Sequence, residues 1–309
     1  HTVINSDRRF TYEEAQQIIE TKEGDFKEEV LMLDKIAKAL RDKRFSSGAI
    51  NFDRYEVKFE IDDKGKPVSV YFKESKDANK LVEEFMLLAN KTVAEEIGKV
   101  PRNKKAKVFP YRIHDLPDPE KLDNLAQFIA RFGYKLRTSG TKSDVSKSIN
   151  HLLDDIQGKK EENLIETVSI RAMQKARYST HNIGHYGLAF EYYTHFTSPI
   201  RRFPDMMVHR LLTKYAEGGR SVLESKYEDL CEHSSNMEQI AANAERASIK
   251  YKQVEFMSER LGQIFDGVIS GVTEWGLYVE LNENKCEGMI PMRDLDDDYY
   301  EFDEKNYCL

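Results

Sequence analysis

Residues 192–212 read YYTHFTSPIRRFPDMMVHRLL. Aromatic residues fill the opening, Ser198 and Pro199 make a turn, and a helix follows from Pro204 or Asp205 to Glu217, where Gly218 and Gly219 end it. Arg201 and Arg202 fall just before that helix, at the positive end of its dipole, where cations are disfavoured. Free backbone N–H groups at the same place favour an anion. A phosphate or carboxylate seated there would relieve the repulsion, and arginine's planar fork suits phosphate oxygens. The spacing leaves a second reading open, in which the arginines bridge structurally to Asp or Glu elsewhere.

Upstream of this stretch, HYGLAFEYYTHF (185–196) reads as buried strand because it is rich in aromatics. Earlier still, Thr11 with Glu14 forms a capping-box pattern opening a helix over 10–20, and a charged helix follows at about 27–43. Two alternating runs around a DDKGKP turn predict a hairpin. Residues 76–98 give a long helix whose apolar seam reads Ala78, Leu81, Val82, Phe85, Leu88, Ala89, Thr92 and Val93, with Gly98 as its stop. VFPYRIHDLP reads as a short strand and turn, and helices are predicted over about 118–133, 143–156 and 162–178. Downstream, a long helix over about 223–261 carries a small-residue seam from Leu230 and Ser234 through Met237, Ala241, Ala244, Ser248, Tyr251 and Val254, which another element could approach closely. After Gly262 the chain alternates, is rich in glycine and has no helical stretch, as a second, all-β module would.

With 309 residues the chain can hold one large and one small domain. Its 40% hydrophobic and 33% charged residues are those of a globular protein. No apolar run approaches a membrane span, and residues 1–20 carry charges throughout, unlike a signal peptide. Cys231, Cys286 and Cys308 are far apart, odd in number and match no metal-ligand spacing, which points to a reducing, cytoplasmic setting. A net charge of −7 argues against a protein that coats nucleic acid, but not against one with a locally basic groove. The basic PRNKKAK (101–107) and the acidic DLDDDYYEFDE (294–304) read equally well as solvated loops.

Asp205 and His209 stand four apart on one helix face and predict a local hydrogen-bonded pair or a support for Arg201. His185 and His195 read as core histidines, and His114 as a loop residue. In the β module, Trp275 and Tyr278 could stack bases or fill the barrel core. P-loop, dinucleotide-fingerprint, HExxH, CxxC and nucleophile-elbow motifs do not occur.

Taken together, HYGLAFEYYTHFTSPIRRFPDMMVHRLL resembles the signature of the ribonuclease II/ribonuclease R exoribonucleases, from Gly184, His185 and Tyr186 to His209 and Arg210. RRFTYEEAQ, DANKLVEEFMLLAN, YRIHDLP and DLDDDYYEFD resemble family segments in the expected order, in detail those of the bacterial ribonuclease R branch. The resemblance covers essentially the whole chain. It implies an α+β fold: a mixed sheet with surrounding helices over 1–261, the C-terminal part of the catalytic domain, then an incomplete OB-fold (S1-type) barrel over 262–309. It implies a Mg²⁺-dependent hydrolase that shortens single-stranded RNA from its 3′ end and releases nucleoside 5′-monophosphates. Arg201 matches the catalytic arginine that holds the scissile phosphate, with Arg202 and His209 in the same motif on the substrate side. Phe52 falls where an aromatic stacks on the last base. Tyr12 and Glu83 match residues near the ribose, where a group contacting the 2′-hydroxyl tells RNA from DNA. Glu245 resembles a glutamate that supports the site from the long helix. Trp275 and Tyr278 fall where the barrel displays aromatics to RNA.

Two departures go with this. The family's aspartate run, which would hold two Mg²⁺ ions, does not occur here: LDDDYY lies in the wrong domain and LLDD has the wrong spacing. The barrel would need roughly 70 residues, and about 48 follow Leu261. The chain is therefore expected to be an internal piece of a longer, monomeric, cytoplasmic enzyme, inactive by itself. The alternative is a non-catalytic RNA-binding scaffold with a decayed nuclease domain. A phosphate-binding metabolic enzyme is a third reading and would need a small-molecule pocket in place of a strand-wide channel.

Overall fold

The computed structural model describes residues 2–51, 56–296 and 298–303. Its α+β architecture divides into two compact units. The first is His1–Ala49, Glu74–His114 and Ala176–Ser234; the second is Ile50–Lys73, Asp115–Lys175 and Ser235–Leu309.

The first unit opens with helix α1 (Tyr12–Thr21). The predicted capping box is present: the Glu14 N–H donates to Thr11 Oγ1 at 3.1 Å, and the Thr11 N–H donates to Glu14 Oε2 at 2.7 Å. Helix α2 (Lys27–Ser46) and helix α3 (Asp77–Gly98) follow. Arg44 of α2 forms a buried ion pair with Glu84 of α3. Helix α3 turns inward a side that only partly matches the expected seam. Its buried face is Ala78, Glu84, Leu87, Asn90 and Ala94, whereas Val82 and Leu88 are exposed. Hydropathy marked the buried face only in part, at Ala78 and at Val93 packed on the core, because two of the buried positions are polar and find specific partners.

Gly98 does end α3, for a packing reason: a Cβ there would meet the Tyr192 ring at 2.6 Å and the Tyr111 hydroxyl at 2.7 Å. The short strands β3 (Tyr111–Ile113) and β4 (Arg177–Ser179) pair antiparallel. Helix α7 (Phe203–Ala216) and the start of α8 (Glu224–Ser258) complete the unit. Its core gathers Ala94, Phe109, Tyr111, Ile113, Val208, Leu211 and Tyr215. Each large apolar side chain buried there contributes about 1.5–3 kcal/mol relative to exposure.

The stretch 185–196 is not a strand. Tyr186–Leu188 forms a single 3₁₀ turn, Ala189 takes a left-handed φ of 54°, and only isolated bridges occur, at His114 with His185 and at His185 with Phe190. Its aromatics are partly or fully buried, as expected, but burial does not require a ladder. Single backbone bonds and side chains share its backbone groups instead.

The second unit holds the predicted hairpin, β1 (Glu56–Ile61) with β2 (Pro67–Lys73). Helix α4 (Pro119–Ala130) is capped by Asp118, and α5 (Lys142–Ile156) by a Thr141–Asp144 capping box. Helix α6 (Glu162–Ala172) is shorter than expected, because residues 177–179 leave it for β4. The packing of α4, α5 and α6 buries Leu125, Ile129, Ile149, Leu152, Ile156 and Ile165. The small-residue seam of α8 is buried at Ser234, but Met237, Tyr251 and Val254 farther along it are exposed. Strands β5 (Gly267–Thr273), β6 (Gly276–Leu281) and β7 (Glu287–Pro291) form an antiparallel sheet in that order. All three sheets among the described residues are small, with antiparallel ladders. No helix of the described residues is long and apolar enough to cross a membrane.

Candidate active site

The turn between Thr197 and α7 is built on two hubs. The Ser198 carbonyl accepts from the Arg201 and Arg202 N–H groups at 3.3 and 3.1 Å. Asp205, fully buried in the first turn of α7, accepts through Oδ1 from the Ser198 N–H and from the Arg202 guanidinium, each at 2.8 Å. A carboxylate in the first turn also suits the helix dipole. The two arginines therefore divide between the two readings of the sequence. Arg202 is the structural partner of an acid. Arg201 is exposed and has no acidic partner within 4.0 Å among the described residues. The predicted Asp205–His209 pair does not form. The His209 Nε2–H donates to the Phe196 carbonyl at 2.9 Å, and its ring stacks on Phe196 at 4.2 Å between centroids.

Beside this turn lies a pocket of about 240 Å³, lined among others by Tyr12, Glu83, Asn90, Tyr193, Thr197 and Arg202. Tyr12 and Glu83, distant in sequence, thus meet on one pocket with Arg202, while Arg201 is the next residue along the turn. Arg202 Nε and Thr197 Oγ1 are buried without a hydrogen-bond partner in this structure, so two polar atoms of lining residues remain to be satisfied. Asn90, Tyr193 and Thr197 were not singled out from the sequence. A polar residue on the true buried face of α3 is the signal that marks Asn90.

The electrostatics around the turn are positive. Burial first, then the charges of Arg202 and Arg112, and also of His185 and Arg201, push the His195 pKa down to about 2. Burial, then His114 and Arg112, push His185 down to about 3. Both are held neutral and are partly buried, at the margin of the core and not within it. His195 Nδ1 shares a 2.7 Å hydrogen bond with the Tyr178 hydroxyl. His114 is packed rather than free in a loop: its ring lies 5.0 Å from that of His185, and its Nδ1 accepts from the Gly187 N–H at 3.0 Å.

The remaining predicted residues are elsewhere. Glu245 is exposed on α8, and Trp275 and Tyr278 belong to the β5–β7 sheet, all in the second unit. Trp275 is 67% exposed at the β5–β6 turn, so it does not fill a barrel core. Tyr278 is half-buried in β6, opposite Gly271 and Met289. Phe52 lies outside the described residues.

A family model described as RNB domain matches residues 1–218, and one described as S1 RNA binding domain matches residues 259–307. Ribonuclease R of Aquifex aeolicus is 38% identical over all of this chain, which spans 44% of that relative. Among solved structures, Mycoplasma genitalium RNase R in complex with ribose-methylated single-stranded RNA is similar at 24% identity and a TM-score of 0.85, covering 97% of this chain and 48% of that one. Yeast Ssd1, a pseudonuclease, is similar at 20% identity and a TM-score of 0.67, covering 91% of this chain and 35% of that one. At these identities the two structures support the fold alone. The chain belongs to the RNB domain family.

Nucleases of this family are generally divalent-metal dependent. The described residues do not fit such an ion: no group of three or more His, Cys, Asp or Glu that could hold one occurs among them.

Proposed function

We propose that this chain contributes the phosphate-binding and ribose-binding side of a hydrolytic 3′-to-5′ exoribonuclease that degrades single-stranded RNA to nucleoside 5′-monophosphates. The division would be residues 1–261 for the catalytic part and 262–309 for the S1-type part. The observation that carries the reading is the exposed Arg201, without an acidic partner among the described residues, next in the chain to Arg202 of the pocket that Tyr12 and Glu83 also line. In this reading Arg201 holds the scissile phosphate and stabilises the charge that grows on it. Tyr12 and Glu83 meet the terminal ribose, and a group accepting from the 2′-hydroxyl would favour RNA over DNA. Trp275, with Tyr278, offers a base-stacking surface upstream on the strand. Glu245 would support the site from α8, Phe52 would stack on the last base, and His209 would act on the substrate only through the turn it braces. Mg²⁺ is the metal we propose, with ligands other than the described residues, and the setting we propose is a cytoplasmic monomer.

The test is a gel assay with 3′-labelled and 5′-labelled oligoribonucleotides and Mg²⁺. It compares wild type with Arg201→Ala in this chain and in any longer protein that carries it. The expected outcome is a hydrolysing protein in which Arg201→Ala cleaves about 10²–10³-fold more slowly while still binding RNA. Equal cleavage by the variant removes Arg201 from the mechanism.

A second reading has its own support: an RNA-binding scaffold without nuclease chemistry. It is favoured by the lack of a metal-holding group among the described residues. It predicts RNA binding with no metal-dependent hydrolysis from any protein carrying this chain.

A further inference from the structure

The segment that leads into the arginine turn has no strand ladder, so other groups must hold its backbone. Phe196 is the clearest case. Its N–H donates to Asn90 Oδ1 at 2.9 Å, and its carbonyl accepts from His209 Nε2 at 2.9 Å. One residue is thus gripped at both peptide groups by side chains from two different helices, α3 and α7. Asn90 is only 3% exposed, and its amide is used at both ends, since Nδ2 donates to the Tyr193 hydroxyl at 3.2 Å.

Asn90 stands two helical turns from Glu83 on the same helix, and both line the pocket. Helix α3 moves as a body, so whatever Asn90 holds is held at a fixed place relative to Glu83. What it holds is Phe196, two residues before the Ser198 hub from which both arginine N–H groups hang. An apolar side chain at position 90 would fill the space but leave the Phe196 N–H unpaired, and the segment would shift to find a partner.

We propose that Asn90 is a positioning residue: by gripping the Phe196 amide it sets the Arg201–Arg202 turn at its working distance from Glu83. The inference rests on the exoribonuclease reading for its consequence and on geometry alone for its structural half. Asn90 need not touch the RNA. It acts through the turn, so its loss should lower the rate of the chemical step more than the binding of substrate. A displacement of about 1 Å at a reacting group can lower the rate about 10²-fold.

Two measurements on Asn90→Ala and Asn90→Asp test this. Aspartate keeps an oxygen for the Phe196 N–H and can accept from the Tyr193 hydroxyl, so it is the conservative variant. In this chain, hydrogen–deuterium exchange across residues 193–203 should be about tenfold faster in Asn90→Ala, with the rest of α3 and α7 unchanged. In the protein that hydrolyses RNA, Asn90→Ala should lower kcat about 10²-fold with KM within about threefold. Asn90→Asp should recover most of both. If Asn90→Ala does not fold, Asn90→Ser, too short to reach the amide, must produce the same two losses. Unchanged exchange, or a raised KM with intact kcat, overturns the positioning role. A wild type that never hydrolyses RNA sinks the proposed function. A hydrolysing wild type matched by a folded Asn90→Ala sinks only this inference.

Discussion

Two stretches of this chain read as strand, and they hold their backbones in opposite ways. Over 267–291 the strands β5, β6 and β7 bond to one another in a ladder broken only by a bulge between Ile269 and Gly271, with Leu277 facing Val272 on one side and Ile290 on the other. Over 185–197 no ladder forms. There side chains hold several backbone groups: the Gly187 N–H donates to His114 Nδ1, Asn182 Nδ2 donates to the Glu191 carbonyl, and Asn90 and His209 grip Phe196, alongside single backbone bonds such as that from the Arg112 N–H to the Tyr193 carbonyl. A ladder spreads the backbone's hydrogen bonds over many residues, so most single side chains can change without moving it. A backbone held by side chains depends on each of them. The candidate active site is built on the second kind of support.

The contrast is sharpest at Arg202. Its pair with Asp205 also secures the Ser198 N–H hub, and the acid is fully buried. Arg202→Ala should destabilise the first unit by about 3–5 kcal/mol, because it leaves a buried carboxylate uncompensated. Arg201→Ala, at an exposed neighbour, should change stability by less than about 0.5 kcal/mol. Chemical denaturation of the two variants checks this directly. Equal stability losses would erase the division of labour between the arginines.

In the sheet the fragile position is a glycine. Gly276 has φ of +146°, and a Cβ there would lie 2.0 Å from the Ile290 carbonyl oxygen. Gly276→Ala should destabilise the β5–β7 sheet by about 1–3 kcal/mol from backbone strain, with the clash adding to it. Thermal unfolding followed by the single tryptophan, Trp275, reads this locally. A tolerated alanine would mean that the close approach of β6 and β7 is not maintained in solution.

Trp275→Ala is the matching side-chain change, and its effect should fall on binding. The ring is mostly exposed, so folding should be little altered. If it stacks a base, affinity for single-stranded RNA should drop by about 1–3 kcal/mol, measurable by fluorescence-anisotropy titration of a labelled oligoribonucleotide. Unchanged affinity would leave the sheet without its stacking residue.

The same contrast explains what could be read from the sequence. Capping at Thr11 and Glu14, the hairpin turn and the alternating β module were legible because local chemistry decides them. The SPIRR turn stood out because two cations at a helix start contradict the dipole, and for Arg202 the structure answers that with the acid-bridging reading, Asp205. The true face of α3 was legible only in part. Glu84 and Asn90 are buried through partners 40 and 106 residues away, Arg44 and Phe196, and periodicity carries no information about either. The 185–196 stretch misled for the same reason: its aromatics reported burial, while the groups that replace the ladder lie elsewhere in the chain.

Acid should separate the two kinds of support, with the smallest effect per step. His185 and His195 lie in the stretch held by side chains and are kept neutral, with pKa values pushed from 6.5 down to about 3 and about 2. In the unfolded chain both protonate near 6.5, so between that pH and about 3 the unfolded state binds more protons. The stability these neutral histidines confer is full above pH 6.5 and is lost as pH falls through that window. The slope is up to about 1.4 kcal/mol per pH unit for each histidine. Protection factors over 185–197, with exchange corrected for its intrinsic pH dependence, should therefore begin to fall below about pH 6, while Trp275 fluorescence holds steady to lower pH. His195→Gln keeps a polar side chain without the titration and should make the acid limb of the first unit about half as steep, the rest coming from His185. An acid limb of the same slope in that variant would show that other groups carry the pH dependence.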